Sequence, residues 1–144
     1  TVEDSKELQT KYLTDLAQII KNDLLSVQPQ LNFDSQIDRQ LPYFLARSEQ
    51  FKLSLEKTAT LQVPTNWVDI HKNILKLLSR LSLSYRQIAD YQTDPLKAIV
   101  ALNEMGTLSL EIKSLLKSIQ VQISSENIVL DNDFYGLLDL LYKN

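Results

Sequence analysis

His71 is the one histidine of the chain, and histidine is the side chain best suited to acid–base chemistry near neutral pH. A single histidine excludes a two-histidine metal site and the paired Glu-x-x-His ligands of di-iron bundles. His71 lies one turn from Trp67 and Leu75 at the edge of an apolar stripe. A hydrolase centred on it would need a carboxylate oriented on the ring and a nucleophile within reach. We therefore expect a packed or capping histidine and no enzyme.

The segment Asp131–Gly136 is similar to the start of a calcium-binding loop, with acids at the first and third positions and glycine at the sixth. Its fifth position is Tyr135 and its twelfth is Tyr142 instead of a bidentate Glu, so the ligand set is incomplete. A helix cap explains the segment better. The absence of cysteine excludes disulfides, thiolate metal sites and cysteine nucleophiles. We expect no catalytic residue, no cofactor site and no metal site.

Basic side chains form two stripes. Lys72, Lys76 and Arg80 recur once per helical turn, and Lys113 and Lys117 form a shorter stripe on the following helix. Such stripes are typical of a solvated helix face. They are also the candidate interaction surface, where an acidic protein partner or an anionic cell-envelope polymer would bind. The net charge of −3 argues against nucleic-acid binding.

The aromatic side chains can either line a ligand pocket or fill the core. Their helical spacing favours core packing, because aromatic residues dominate protein cores. The set consists of Trp67, Tyr12, Tyr43, Tyr85, Tyr91 and Tyr135.

The composition is that of a helix-rich globular protein. The 144 residues are 44% hydrophobic and 23% charged and contain only two Gly and four Pro. A chain of this length buries a real core without metal or disulfide support. We expect a single domain, residues 1–144, folded as an all-α, antiparallel helical bundle of about four to five helices.

A long amphipathic helix is the centre of the predicted bundle. Pro64 disfavours helix in the residue before it, and Thr65 or Asn66 can cap a helix that begins near Trp67. Its buried stripe consists of Trp67, Ile70, His71, Ile74, Leu77, Leu78, Leu81, Ser84, Tyr85, Ile88 and Tyr91.

A second long helix follows a short turn. Asp94 is suited to cap it and Pro95 to occupy its first turn. Small Ala98 and Ala101 near the turn allow the two helices to approach closely. The two apolar stripes predict an antiparallel hairpin, in which the second stripe is Ala98, Ala101, Leu102, Met105, Leu108, Ile112, Leu115, Leu116 and Ile119.

The N-terminal part predicts one helix and a connection. The helix begins near residue 3 or 4 and ends at Ser26, before Pro29. After a connection at residues 28–34, Asp34 or Ser35 caps a short helix leading to Leu41–Phe44, which Pro42 interrupts or restarts.

Residues 43–63 follow no single period. Phe51, Leu53 and Leu55 alternate as in a strand, whereas residues 55–62 are typical of the end of a helix. Because a helix without its first turn nucleates poorly, we expect missing residues and a break in the chain near the Ser54–Leu55 junction.

The C-terminal part allows two interpretations. Ile119–Ile123 alternates and, with residues 128–130, can form a small hairpin; the favoured alternative is that the long helix frays there. Asp131 or Asn132 then caps a last helix whose buried residues are Phe134, Leu137, Leu138 and Leu141.

Three short motifs carry a resemblance to a family. Leu-Pro-Tyr-Phe at residues 41–44, Val63-Pro64 followed by residues 69–73, and residues 94–98 resemble uncharacterised helical proteins of candidate-phyla bacteria, which are exported and anchored by an N-terminal apolar segment. The resemblance implies an extracytoplasmic, membrane-anchored helical domain and no activity. The chain begins at Thr1 without an initiator Met and contains no apolar run of about 18 residues. We expect membrane attachment only through a segment outside this sequence.

Two functions follow as hypotheses. The first is a non-enzymatic helical interaction or scaffold domain. The alternative is a bundle that binds a small apolar ligand in its core. An enclosed, ligand-sized cavity beside Trp67 and Tyr85 would favour the alternative, whereas a filled core leaves only surface binding.

Overall fold

A computed structural model describes residues 5–25 and 40–143, which form five α-helices. A π-helical turn, Lys21–Leu25, continues the first helix, and a 3-10 turn, Thr65–Trp67, leads into the third. The described residues contain no strand. The predicted all-α helical bundle is confirmed, with the helices α1 (Lys6–Ile20), α2 (Leu41–Ala59), α3 (Val68–Ala89), α4 (Pro95–Ser125) and α5 (Asn132–Lys143).

Side-chain contacts fix the helix directions. The start of α3 meets the end of α4 through Asn66 and Glu126, and the end of α3 meets the start of α4 through Ser84 and Glu104. The predicted antiparallel hairpin is therefore confirmed. The helix α2 is also antiparallel to α3, whereas α1 runs in the same direction as α3, as shown by the pairs Ser48–Ser82, Gln9–Trp67 and Tyr12–His71.

Three side chains cap helix N-termini. The Ser5 hydroxyl accepts a hydrogen bond from the Leu8 N–H at 3.1 Å, so α1 begins slightly later than the sequence predicts. The Asp94 carboxylate accepts from the Lys97 N–H at 3.1 Å, with Pro95 in the first turn of α4. The Asp131 carboxylate accepts from the main-chain N–H of Phe134 at 2.9 Å. The predicted cap at Asp94 is confirmed, and Asp131 is the one of the two predicted candidates, Asp131 and Asn132, that caps α5.

The C-terminus of α4 is sharply terminated, and the predictions of fraying or a hairpin after Ile119 are wrong. Asn127 adopts a left-handed φ of 52°. The N–H of Ile128 donates to the Ile123 carbonyl at 3.1 Å, and the Asn127 N–H donates to the Ser124 carbonyl at 3.2 Å. This pair of bonds is a Schellman motif, which satisfies main-chain carbonyls that otherwise lack partners at a helix end.

The helix α2 corrects the prediction for the middle of the chain. Helix runs through Phe51–Leu53 and crosses the Ser54–Leu55 junction, so the expected extended segment and the expected break in the chain are wrong. Pro42 lies in the first turn, where proline is tolerated. Nucleation is aided by tertiary packing, because α2 lies along the whole of α3.

The core prediction is confirmed at the centre and corrected at one edge. Trp67 and Leu108 have no exposed surface, and Ile74 and Leu81 are buried with them. Ile88 is fully buried near the α3–α4 turn, outside this cluster. Several residues of the two predicted stripes are only partly buried at the cluster's edge, and Leu102 is exposed; the partly buried residues include Ile70, Leu77, Tyr85, Met105, Ile112 and Leu115.

The π-helical turn after α1 is not predicted by the sequence. It places the buried Asp23 carboxylate 2.7 Å from the Lys57 ammonium on α2. The predicted helix end at Ser26, the stop at Pro29 and the caps at Asp34 or Ser35 lie outside the described residues. None of the described helices is both long and apolar enough to cross a bilayer.

Candidate functional site

An apolar cavity of about 470 Å³ lies inside the bundle, and all five helices line it. It is partly open, because several of its lining side chains on α3 and α4 are only partly buried, among them Leu77, Tyr85, Met105, Ile112 and Leu115. Most of the lining is aliphatic: Leu13, Leu16, Ala17, Ile20, Leu24, Leu25, Arg47, Phe51, Ile74, Leu77, Leu78, Leu81, Tyr85, Met105, Leu108, Ser109, Ile112, Lys113, Leu115, Leu116, Ile119, Phe134, Leu137, Leu138 and Leu141.

The cavity exists because α1 is held away from the α3–α4 hairpin. The backbone of α1 approaches neither α3 nor α4 as extensively as α2 approaches α3. The large buried rings of Tyr12 and Trp67, whose centroids are 5.9 Å apart, separate α1 from α3. Bulky side chains at a helix contact increase the distance between helix axes. The space between α1 and α4 is bounded on another side by α5, which contacts both helices.

A chain of hydrogen bonds joins α1, the start of α3 and the end of α4 at one end of the bundle. The Trp67 indole N–H donates to the Gln9 amide oxygen at 2.7 Å. The Gln9 amide then lies 3.5 Å from the Glu126 carboxylate at the end of α4. Asn66 donates to the same carboxylate at 2.8 Å. These bonds satisfy polar groups that burial would otherwise penalise, and they fix the position of α1 on the hairpin.

His71 on α3 also contacts α1 close to these hydrogen bonds. Its Nδ1 lies 3.0 Å from the buried Tyr12 hydroxyl. Burial lowers the pKa of His71 from its usual 6.5, and burial raises the pKa of Tyr12. Both effects favour a neutral pair in which the hydroxyl donates to Nδ1. The ring makes no hydrogen bond to a carboxylate in the described part of the chain, so the arrangement that a hydrolase would need is not formed there.

The calcium-like segment is helix. Asp131 caps α5, and the residues from Asn132 onward, including Tyr135 and Gly136, lie within it. A calcium loop requires an extended path around the ion. Across residues 5–25 and 40–143, no group of three acidic or histidine side chains is arranged to hold a metal.

The five basic residues of the candidate interaction surface do not share one surface. Arg80 pairs with Glu104 at 2.8 Å and with Glu111. Lys76 and Arg80 line an open groove of about 310 Å³ between α3 and α4. Lys113 instead lines the apolar cavity. Lys72 and Lys117 are exposed.

Sequence reasoning considered a core cavity, beside Trp67 and Tyr85, only as the observation that would favour the alternative function. Tyr85 does line the cavity, whereas Trp67 does not. A cavity depends on side-chain volumes and helix distances that a pattern of apolar positions does not contain.

Comparison of the chain with protein-family models, with curated protein sequences and with solved structures finds no match.

Proposed function

We propose that this protein is a non-enzymatic helical bundle that binds a small apolar ligand in the cavity between α1 and α4. The observation that supports this proposal is the cavity itself, about 470 Å³ of space with a predominantly aliphatic lining. Binding pockets for small molecules typically have volumes of about 300–1,000 Å³ and are mostly apolar.

The volume indicates the size of the ligand. A cavity of about 150 Å³ lined by Leu, Ile and Phe holds one benzene molecule. The cavity of about 470 Å³ is roughly three times larger, which corresponds to roughly 18 carbon atoms. A ligand that fills such a space gains the packing contacts that are worth about 24 cal/mol per Å³ in cavity-forming substitutions.

A titration with a neutral apolar dye tests this proposal. N-phenylnaphthylamine should show a saturable rise in fluorescence with one site per chain. Ala17 lines the cavity, so Ala17→Leu should weaken binding at least about tenfold by occupying part of the space.

Ala59 provides the matched control, because it is exposed at the end of α2 and does not line the cavity. Ala59→Leu adds the same volume and should leave dye binding unchanged. Absence of saturable binding, or equal binding by the two variants when both are folded, would refute the proposal.

A second candidate is an interaction or scaffold domain for an acidic protein partner or an anionic envelope polymer. It is supported by Lys72 and Lys76, which are exposed on α3 and form no salt bridge with the described acidic residues. Arg80 supports it less, because two glutamates neutralise its charge. An extracytoplasmic, membrane-anchored location is part of this candidate and is supported by the family resemblance alone.

Binding to immobilised polyglutamate at low salt tests the second candidate. The double variant Lys72→Gln/Lys76→Gln should lose most of the binding, since exposed charges act through a screened, salt-dependent attraction. The control Lys52→Gln/Lys97→Gln removes two other exposed lysines. Equal loss in both variants would indicate nonspecific attraction and contradict a dedicated surface.

A further inference from the structure

The charged side chains that line the cavity in the described part of the chain are all cationic. Its lining contains two cationic side chains, Arg47 and Lys113, and two hydroxyl groups, Ser109 and Tyr85. It contains no aspartate or glutamate from the described part of the chain. A mostly apolar pocket with a few convergent polar groups selects a ligand that is itself apolar with one polar end.

The two cations differ in what they contact. The Arg47 guanidinium donates to the Leu24 main-chain carbonyl at 2.7 Å and to the Gln50 side chain at 2.8 Å, and it lies over the Phe51 ring. These contacts hold α2 against the end of α1. Arg47 therefore has a structural role in the bundle.

Lys113 has no such partner. Its Nζ lies 6.0 Å from the centre of the Tyr142 ring on α5, and it forms no salt bridge within residues 5–25 and 40–143. It is only partly buried, and Tyr142 beside it is exposed. This places the ammonium group at the rim of the cavity, between α4 and α5, where it keeps access to water.

Ser109 lies one helical turn before Lys113 and also lines the cavity. Side chains four residues apart on a helix are neighbours on its surface. A hydroxyl and an ammonium in this arrangement can both donate to one carboxylate, and charge-assisted hydrogen bonds of this kind are shorter and stronger than neutral ones. The aliphatic side chains of Leu108 and Leu116 on the same helix continue the lining inward.

We propose that the ligand is a long-chain carboxylate, whose head accepts hydrogen bonds from the Lys113 ammonium and the Ser109 hydroxyl while its single hydrocarbon chain occupies the apolar cavity. The volume of about 470 Å³ matches one hydrocarbon chain of roughly 16–18 carbon atoms. This inference rests on the proposed function, because it names the class of ligand for the same cavity.

Displacement of N-phenylnaphthylamine by hexadecanoate and by hexadecanol, each below its aggregation concentration, tests the proposal. The two ligands share one chain and differ in the charge of the head. Hexadecanoate should bind about tenfold more tightly than hexadecanol, a difference typical of one charge-assisted contact at a partly exposed site.

Substitutions at Lys113 and Lys117 of α4 test whether the difference in affinity between the two ligands comes from Lys113. Lys113→Gln should abolish the preference for hexadecanoate over hexadecanol, and Lys113→Arg should retain that preference. Lys117→Gln is the control, because Lys117 is exposed on the same helix and does not line the cavity.

The outcomes separate this inference from the proposed function. Equal affinity of hexadecanoate and hexadecanol in the unsubstituted protein, or an unchanged preference in Lys113→Gln, would overturn the assignment of a carboxylate and leave an apolar ligand in place. Absence of binding by the dye and by both ligands would overturn the proposed function as well.

Discussion

Two regions of this bundle differ in how closely their helices approach. In the close-packed region, along α2 and α3, the buried residues of α2 include the small Ser54 and Thr58. Ser48 and Ser82 exchange hydrogen bonds in which each hydroxyl donates to the main-chain carbonyl of the other residue, at 2.8 and 3.0 Å. Such bonds require that the two backbones lie close together, which small side chains permit.

In the cavity region, between α1 and the α3–α4 hairpin, the side chains are large. Tyr12 and Trp67 separate the helices, and long aliphatic residues such as Leu16 and Leu108 surround the remaining space. Apolar content alone therefore does not produce a filled core. The sizes of the residues at each contact decide whether two helices close against each other or leave a space.

Removal of Trp67 should give the largest effect, because its side chain joins the turn before α3 to Gln9 and Tyr12 on α1. Trp67 is fully buried and its indole N–H donates to Gln9 on α1. Trp67→Ala should lower the free energy of unfolding by about 3–5 kcal/mol, as truncation of large core residues does. Urea denaturation measures this change.

Lys76→Ala on the exposed face of α3 is the control and should stay within about 0.5 kcal/mol. Equal denaturation midpoints for these two variants would contradict the role of Trp67 in holding α1 against the start of α3.

The same substitution at a filled helix contact and at the cavity should give different results. Ala101 on α4 is fully buried near the α3–α4 turn, so Ala101→Leu should destabilise the protein by about 1–3 kcal/mol through overpacking. Ala17 lines the cavity, so Ala17→Leu should change the free energy of unfolding by less than about 0.5 kcal/mol. Similar destabilisation by both variants in thermal or urea unfolding would show that the cavity region is as tightly filled as the other.

The pH dependence of stability should show a smaller effect, which comes from the buried His71. The unfolded chain protonates His71 below its usual pKa of 6.5, whereas burial lowers the pKa of His71 in the folded protein. Stability from this residue is therefore complete above pH 6.5 and is lost as the pH falls toward the lowered pKa, by at most about 1.4 kcal/mol per pH unit.

His71→Gln isolates this contribution from that of the carboxylates. The unsubstituted protein should lose more stability than the variant between about pH 7.5 and about pH 5.5. The variant should retain ligand binding, because His71 does not line the cavity. Parallel pH profiles for the two proteins would show that His71 is equally hydrated in the folded and unfolded states.

The sequence predicts the α3–α4 hairpin correctly because its residues repeat at the helical period and its turn carries the Asp94 cap. It does not predict α2, because the buried face of that helix includes polar residues. Ser48, Phe51, Ser54 and Thr58 are buried at spacings of three and four, but three of them are hydroxyl residues that a hydrophobic pattern omits.

The candidate site was less predictable than the fold. The bond between Gln9 and Trp67 joins residues 58 positions apart, and no local pattern indicates such a contact. Lys113 was identified as a surface charge, since its position at the cavity rim depends on where α5 packs. Exposed apolar residues on α4, such as Leu110 and Val121, further blur the distinction between its two faces.

The most direct test of the account is the position of a bound hydrocarbon chain. Nuclear Overhauser contacts between hexadecanoate and methyl-labelled protein should appear at the cavity residues Leu108, Leu116 and Ile74. They should be absent at the exposed residues Leu110 and Val129. Contacts confined to the exposed residues, or no contacts at a saturating ligand concentration, would contradict the account.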